Sequence, residues 1–486
     1  MKNENINIVE DKNKENQAFS HMERKSFYLI VALLSTIILI TWLATFFVPQ
    51  GSFLRDDEGM IIGGTYTQGA VQGIAFWKVI TAPVRVLFSE DALTIIMISV
   101  FLLVMSGVFN LLEKTGGIRV IIGKMVQKFS DKKRLVVCLT VLAFMAFGSC
   151  FGMFEELVTL LPLIIVFVLS LGMDTLTGLG VCLMSSCFGF SAAITNPFSV
   201  GIVADLAGVS VLDGIWLRVL FFFFVYAAVC LFLLWHIKKI AKSPEKSLTY
   251  EIDKKKRESL NLEIFQGTPK ENKIVKTYII FFAIQFVVFI LIASIRAISG
   301  YAIPILAASF LIGGIVCGFF VCEKKKDIFV HIGKGAVAML PAVLMIMLAS
   351  SVKLIMSESG ILDTIMNFAI SALDGGNKFV CVIFIYFLIL FLQVFIGSSS
   401  AKIMLIMPII LPVATSLGIS TSVVILTYCI ADGFTDVIIP TNPVLLIGLS
   451  MANVSYGKWV KWTWKFQICM FLATILLLIM AVGIGY

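Results

Sequence analysis

The feature that most constrains this chain is a series of apolar segments, each about 20 residues long, the length that spans the hydrocarbon core of a bilayer. Spanning helices are predicted at 27–48, 93–112, 176–210, 213–237, 275–298, 300–322, 335–357, 419–453 and 459–485. The first lacks a cleavage pattern of small residues, so we expect it to be retained. Because 59% of the residues are hydrophobic and 14% are charged, a soluble domain is excluded and an all-α polytopic membrane protein is expected.

Two further apolar stretches, 133–172 and 377–417, are each broken midway by small or polar residues. The breaks read GSCFGMFEE at 148–156 and GSSSAK at 397–402. Half of either stretch is too short to cross a bilayer untilted. Each stretch therefore predicts a re-entrant helical hairpin whose tip reaches the membrane midplane, where non-helical backbone must face protein or water.

The chain also repeats part of itself at an offset of 246 residues. Thr-Asn-Pro occurs at 195–197 and again at 441–443, and the same offset aligns Pro162 with Pro408. Matches in the same order in both halves indicate an internal duplication. Since proline breaks a helix, 176–210 and 419–453 are each predicted to be broken transmembrane helices.

The distribution of lysine and arginine predicts the orientation. With a cytoplasmic N-terminus, most of the 38 basic residues fall on cytoplasmic segments, including 323–334, and residues 49–92 lie outside. The two hairpins then enter from opposite sides, so the two halves are inverted repeats. The predicted units are a cytoplasmic arm, a first repeat, a cytoplasmic linker with a connecting helix, and a second repeat, at 1–26, 27–237, 238–298 and 299–486.

The net charge of +8 is explained by this topology. The basic run in the linker predicts a solvated segment and no nucleic-acid partner. The ten cysteines lie in or at the ends of apolar segments without a CxxC pair, so no metal site or other cofactor is expected. The three histidines lie near segment ends, which argues against a histidine proton relay in the core.

The two Thr-Asn-Pro breaks are candidates for a binding site. Secondary transporters build midplane sites from inverted repeats with broken helices. Thr195, Asn196, Thr441 and Asn442 supply polar groups at the breaks. The alternative is a pair of proline kinks in which each asparagine only satisfies the freed backbone.

Two adjacent carboxylates, Glu155 and Glu156, occupy the first hairpin tip. An ionised carboxylate at membrane depth costs about 2.5–3.5 kcal/mol unless it is compensated. Adjacent carboxylates in a low dielectric do not both ionise cheaply, so they predict either a shared proton that couples transport or a contact with a cationic solute group. The alternative is that one of them caps the following helix.

The second tip and the segment before the second break carry hydroxyls and further charges, at Ser398, Ser399, Ser400, Lys402, Asp432 and Asp436. The serines can bond a carboxylate or a cation. Lys402 aligns with Glu156 under the 246 offset, and its ammonium could bind a solute carboxylate, take the place of a sodium ion, or extend to the outer surface. The two aspartates could balance Lys402 or bind a solute amine. Protons and sodium both remain open as coupling ions.

Several motifs resemble a known family: GSCFGMFEELVTLLPL, AAITNPFSVGIVADLAGV, GSSSAKIMLIMPIILPVA, DGFTD and SYGKWVKW. Together they are similar to the YfcC-like branch of the C4-dicarboxylate anaerobic carriers, within the ion-transporter superfamily that includes arginine/ornithine antiporters. The resemblance implies a dimeric elevator-type carrier with a site between two hairpin tips and two broken helices. The implied site residues are Glu155, Glu156, Asn196, Ser398, Ser399, Ser400 and Asn442.

We therefore expect a multi-pass secondary transporter of the cell (inner) membrane, working by alternating access as a homodimer in the lipid bilayer. Mixed charge at the inferred site favours an amino acid or short peptide, by antiport, and the alternative is C4-dicarboxylate uptake or exchange. Two other classes are a passive channel and an intramembrane Ser–Lys hydrolase using Ser400 and Lys402. The hydrolase is disfavoured because residues two apart on a helix do not face each other.

Overall fold

The structure is a computed structural model, and it is almost wholly helical. It describes residues 24–55, 64–117, 132–158, 160–259, 268–294, 301–373 and 376–486, with the single positions 62, 120 and 124. The described part departs from all-α architecture at one antiparallel ribbon, β1 (Gly51–Ser52) with β2 (Thr67–Gln68), in which Gly51 pairs with Gln68. The predicted cytoplasmic arm, 1–26, lies almost entirely outside the described residues.

The helices of the first half follow the predicted segments closely. They are α1 (Arg24–Ala44), α2 (Phe76–Arg85), α3 (Ala92–Lys114), α4 (Lys133–Phe151), α5 (Glu155–Val158), α6 (Leu161–Ser170), α7 (Thr175–Ser191), α8 (Pro197–Ala207) and α9 (Ile215–Lys242). The stretch 133–172 thus contains helical pieces on either side of a non-helical tip at 152–154. The segment predicted at 176–210 is divided in two, α7 and α8, because Pro197 follows the break.

The second half also contains a pair of helices around a tip, a helix divided before a proline and a long last helix. Its helices, with those of the linker, are α10 (Tyr250–Ser259), α11 (Pro269–Ser294), α12 (Ala302–Val321), α13 (Lys325–Ala338), α14 (Leu340–Glu358), α15 (Ile361–Leu373), α16 (Lys378–Gln393), α17 (Ser399–Ser416), α18 (Thr421–Phe434), α19 (Pro443–Ala452) and α20 (Tyr456–Gly483). The stretch 377–417 is again two helices around a tip, and 419–453 is again divided before a proline, Pro443.

Seven helices among the described residues are long and apolar enough to cross a membrane. They are α3, α4, α9, α12, α17, α20 and the continuous segment formed by α13 and α14. The expectation of a multi-pass membrane protein is confirmed. The shorter apolar helices are α1, α6, α7, α8, α15, α16, α18 and α19, so one helix of each predicted hairpin, α4 or α17, is among the long ones.

The segment 323–334, which the basic residues predict to be cytoplasmic, is largely helical in the structure. These residues belong largely to α13, which packs along α3, with Asn110 Nδ2 donating to the His331 carbonyl at 2.7 Å and Ser106 Oγ to the Gly335 carbonyl at 2.8 Å. A Cβ on Gly335 would lie 2.4 Å from the Ser106 carbonyl oxygen. The close backbone approach depends on that glycine, and three of the four lysines of 323–334 lie at the start of the helix.

The expectation that the linker is solvated was wrong for part of α10. Asp253 of α10 is 2% exposed and accepts a hydrogen bond from the Thr175 amide at 3.2 Å, and Lys256 donates to the Ala452 carbonyl at 2.6 Å. Burial lowers the pKa of Lys256 to about 8 and raises the pKa of Asp253. The linker helix therefore bonds to the first residue of α7 and the last residue of α19, so it joins both broken helices.

Candidate functional site

The asparagine of each Thr-Asn-Pro break is the N-cap of the helix that follows it. Asn196 Oδ1 accepts from the Phe198 amide at 2.9 Å, and Asn442 Oδ1 accepts from the Val444 amide at 2.8 Å. Proline fits the first helical turn because its missing N–H would have no intrahelical partner there. The two breaks are therefore built by the same local chemistry, which satisfies the helix start that the broken backbone exposes.

The first tip packs directly against the first break. Ser149 Oγ donates to the Ala192 carbonyl at 2.6 Å, and Thr195 Oγ1 donates to the Cys150 carbonyl at 3.1 Å. Gly152 has φ +69°, and a Cβ on it would lie 2.2 Å from Asn196 Oδ1. A side chain at residue 152 would thus collide with the capping asparagine.

The second tip contacts both breaks. Ser399 Oγ lies 3.3 Å from the Phe198 carbonyl oxygen of the first break, and Thr441 Oγ1 of the second break donates to the Val394 carbonyl at 2.7 Å. Tyr428 of α18 donates to the Ser399 carbonyl at 2.8 Å. Ser398 is the N-cap of α17 and lies 3.3 Å from Ser400 Oγ.

A buried ion pair lies behind the second tip. Lys402 donates to Asp432 Oδ1, and their side chains are 0% and 2% exposed. The interpretation of Lys402 as a lysine that extends to the outer surface does not agree with this burial. Asp432 Oδ2 has no hydrogen-bond partner among the described residues.

Asp436 connects the second tip to the second break. It accepts hydrogen bonds from Gln393, the last residue of α16, and from Asn442 Nδ2 at 2.7 Å. Asn442 thus uses its oxygen to cap α19 and its amide nitrogen to bind Asp436. Asn196 lacks the corresponding bond, since its Nδ2 is buried without a partner in the described part of the chain.

A cavity of about 270 Å³ lies between the tips and the breaks. Of the twelve predicted site residues, eight line it: Glu155, Ser398, Ser399, Ser400, Asp432, Asp436, Thr441 and Asn442. Lys402, Thr195 and Asn196 do not line the cavity, but Lys402 bonds to Asp432 and Asn196 accepts from the Phe198 amide, and both of those partners line it. The side chain of Glu156 lies outside the described residues.

The opposite wall of this cavity contains residues that the sequence analysis did not assign to the site. They include Ile95 of α3, Ile346 and Lys353 of α14, and Asp91, the residue before α3. Lys353 is a charged residue in the apolar helix α14, and its partner Asp91 lies 262 positions away. Only the folded chain brings the two together.

Comparisons with known proteins agree with the membrane architecture. A protein of uncharacterised function from Haemophilus influenzae is 28% identical over 402 residues, 81% of this chain and 77% of the relative. The putative basic amino acid antiporter YfcC of Escherichia coli K12 is 25% identical over 469 residues, 87% of this chain and 90% of YfcC.

Two solved membrane transporters align with this chain over most of its length. MtrF of Neisseria gonorrhoeae, from a class of antimetabolite efflux pumps, aligns over 93% of this chain and 94% of its own at 15% identity and a TM-score of 0.42. The YdaH transporter of Alcanivorax borkumensis aligns over 95% and 99% at 16% identity and a TM-score of 0.42. The family described as C4-dicarboxylate anaerobic carrier (DcuC) matches residues 27–483, and this chain, which is similar to YfcC, belongs to that family.

Proposed function

We propose that this protein is a secondary active transporter that moves a small carboxylate-bearing solute, an amino acid or short peptide, across the cytoplasmic membrane by alternating access. The observation that carries the proposal is the charge pattern of the central cavity, which combines helix N-termini with an excess of carboxylates. Membership of a carrier family already sets the Ser–Lys hydrolase aside. In addition, Lys402 is bonded to Asp432, while Ser400 lies against Ser398.

One part of the cavity suits an anionic group. The N-termini of α17 and α19 both reach it, through Ser398 to Ser400 and through Asn442 to Val444. The backbone N–H groups of a helix start carry a partial positive charge, and serine hydroxyls donate hydrogen bonds. Half-helix N-termini at the membrane midplane bind substrate carboxylates in other transporters.

Another part of the cavity suits a cationic group. Glu155, Asp432 and Asp436 line it, and the unpaired Asp432 Oδ2 leaves one acceptor unused. Because Lys402 balances only one of these carboxylates, the wall retains negative charge when the others are ionised. A solute with an ammonium beside a carboxylate matches both parts, and the name of the relative YfcC supports a basic amino acid and antiport.

The contact between the two broken helices supports inverted repeats, and the family resemblance supports an elevator-type movement. Cys187 Sγ of α7 lies 3.0 Å from the Gly433 carbonyl oxygen of α18, and Ser191 Oγ lies 3.1 Å from that of Ile430. The paired residue numbers rise on one helix and fall on the other, so the helices run antiparallel. Cys187 and Gly433 are also 246 positions apart, the repeat offset. This is the contact expected beside a pseudo-two-fold axis.

The Lys402–Asp432 pair supports sodium-independent coupling, since a fixed ammonium occupies a buried cation position. Protons carried by Glu155 or Glu156, or obligate exchange, would then drive transport. We also propose, from the family resemblance and the positive-inside pattern, a homodimer in the inner membrane with a cytoplasmic N-terminus.

C4-dicarboxylate uptake or exchange is the second candidate, and the family description favours it. Two helix N-termini at one cavity could each take a carboxylate if the acidic residues were protonated. The cavity itself, with four carboxylates and Lys353 as its one cation among the described lining residues, favours the amino acid.

A solute screen in proteoliposomes tests the proposal. Purified protein is assayed for uptake of labelled arginine, lysine, ornithine and succinate, with and without internal unlabelled solute, under imposed proton or sodium gradients. The expected result is saturable uptake of a basic amino acid that internal solute accelerates. Succinate uptake alone would favour the second candidate, and linear flux without acceleration would contradict a carrier.

A further inference from the structure

A second, larger cavity adjoins the central one. It has a volume of about 840 Å³, and its walls include the β1–β2 ribbon and part of α17. Asp91 and Lys353 line both cavities. These two side chains therefore lie where a solute would pass from the larger cavity into the central one.

The two side chains form an ion pair that water reaches. Lys353 Nζ lies 2.8 Å from Asp91 Oδ1 and 2.6 Å from Oδ2, and the side chains are 22% and 35% exposed. Partly exposed pairs contribute little to stability, whereas a lysine in an apolar membrane helix is costly. Stabilisation of the fold alone does not explain why α14 carries this lysine.

Within the part of the chain that the structure describes, the central cavity offers a solute carboxylate no other amine. Among its described lining residues, Lys353 is the one cationic side chain, since Lys402 is fully buried against Asp432. Asp91 supplies a carboxylate directly beside it. The pair thus presents a positive and a negative group side by side, the complement of a zwitterion.

We propose that Lys353 and Asp91 are a binding station for an α-amino acid on its way to the central cavity. The solute carboxylate pairs with Lys353 while the solute α-ammonium pairs with Asp91, so two intermolecular pairs replace the one between the side chains. The station selects solutes in which the two charges are adjacent. This inference rests on the proposed function and adds the residues that recognise the solute on the α3–α14 side.

Binding by purified protein in lipid nanodiscs tests the station without requiring transport. The probes are labelled L-arginine, lysine, ornithine and succinate, and for the best-bound amino acid its methyl ester and Nα-acetyl derivative as competitors. We expect the wild type to prefer the acid over the ester by roughly tenfold. Lys353→Met should remove most of that preference, and Lys353→Arg should retain it.

Asp91→Asn provides a second, independent variant. It should remove the preference for the free amino acid over its Nα-acetyl derivative while leaving the acid-to-ester ratio less affected. Arg85→Gln is the control for loss of an ion pair on α14, because Arg85 pairs with Glu358 at similar exposure (28% and 25%) and itself lines neither cavity, while Glu358 lines the larger one. It should leave both ratios unchanged.

The outcomes separate the two proposals. Unchanged ratios in Lys353→Met and Asp91→Asn, with the wild type binding an amino acid, would overturn the station alone. Saturable wild-type binding of succinate but of no amino acid would overturn both the station and the preferred solute class. A wild type that binds none of the probes would overturn the proposed function together with the station.

Discussion

Two lysine–aspartate pairs flank the central cavity, and they differ mainly in their access to water. Lys402 and Asp432 are 0% and 2% exposed, whereas Lys353 and Asp91 are 22% and 35% exposed. The first pair joins α17 to α18, both next to a break or a tip, and the second joins α14 to the residue before α3. The same two residue types are thus placed in a dry and in a wet setting.

Burial decides what each pair can do. Separating a buried pair leaves a charge without compensation in a low dielectric, so Lys402 and Asp432 behave as a fixed part of the site. A pair that water reaches exchanges partners at small cost, because water already competes for both groups. The buried pair therefore sets the charge of the site, and the exposed pair is free to bind solute.

The largest effect is expected from Lys402→Met. Removing one partner of a buried pair costs about 3–5 kcal/mol of unfolding free energy, so both thermal stability and uptake should fall steeply. Lys402→Met/Asp432→Asn should regain most of the stability but not the uptake. Unfolding followed by tryptophan fluorescence in detergent measures the stability. A Lys402→Met variant as stable as the wild type would contradict the fixed role of the buried pair.

Glu155→Gln tests the remaining negative charge beside the buried pair. We expect uptake to fall by tenfold or more, equivalent to about 1.4 kcal/mol, because Glu155 lines the cavity as a proton carrier or a solute contact. Size-exclusion profiles should show unchanged assembly. Glu113→Gln is the control, since Glu113 of α3 does not line the cavity. Normal kinetics of Glu155→Gln would favour the capping alternative.

Asn442→Ala and Asn196→Ala compare the two breaks. Loss of a helix N-cap costs about 1 kcal/mol at either position. Asn442 also donates to Asp436, so its replacement should reduce stability more than that of Asn196. Equal losses, measured as shifts in the unfolding midpoint, would show that the Asp436 bond contributes nothing.

Lys353→Met should change stability by less than about 1 kcal/mol, the range of partly exposed pairs. Comparison of its melting curve with that of Lys402→Met measures the effect of the same substitution at the exposed pair and at the buried pair. A loss as large as that of Lys402→Met would remove the distinction between a fixed and an exchangeable pair.

No effect is expected when choline replaces sodium in the uptake assay. The Lys402 ammonium already occupies the buried cation position, so sodium has no role to fill there. A strong sodium requirement in the wild type would contradict this role of Lys402.

The sequence predicted features that depend on neighbouring residues. The breaks before Pro197 and Pro443, and the tips after Gly152 and Gly397, follow from helix-breaking and capping chemistry within a few positions. The local pattern also allowed each asparagine to satisfy the freed backbone, as both do by capping the next helix, although it did not predict that Asn442 would bind Asp436 while Asn196 Nδ2 would lack a partner among the described residues.

Features that depend on distant residues were not predictable in this way. Asp91 meets Lys353 across 262 positions, and Asp253 of the linker meets Thr175 across 78. The charged composition of the linker predicted that it would be exposed to solvent. This failed for Asp253, because composition does not show which carboxylate finds hydrogen-bond donors in the folded chain. The packing of α13 along α3 is a further example, since Gly335 lies against Ser106, Gly107 and Asn110, more than 220 positions away.

The location of the bound solute tests the account most directly. A cryo-electron microscopy structure in nanodiscs, at saturating concentration of the solute found by the uptake screen, would show it. We predict density in the 270 Å³ cavity, with the solute carboxylate at the N-terminus of α17 or α19 and its ammonium within hydrogen-bond distance of Asp432 or Asp436. Density elsewhere with this cavity empty, or Lys402 detached from Asp432 and a sodium ion in its place, would contradict it.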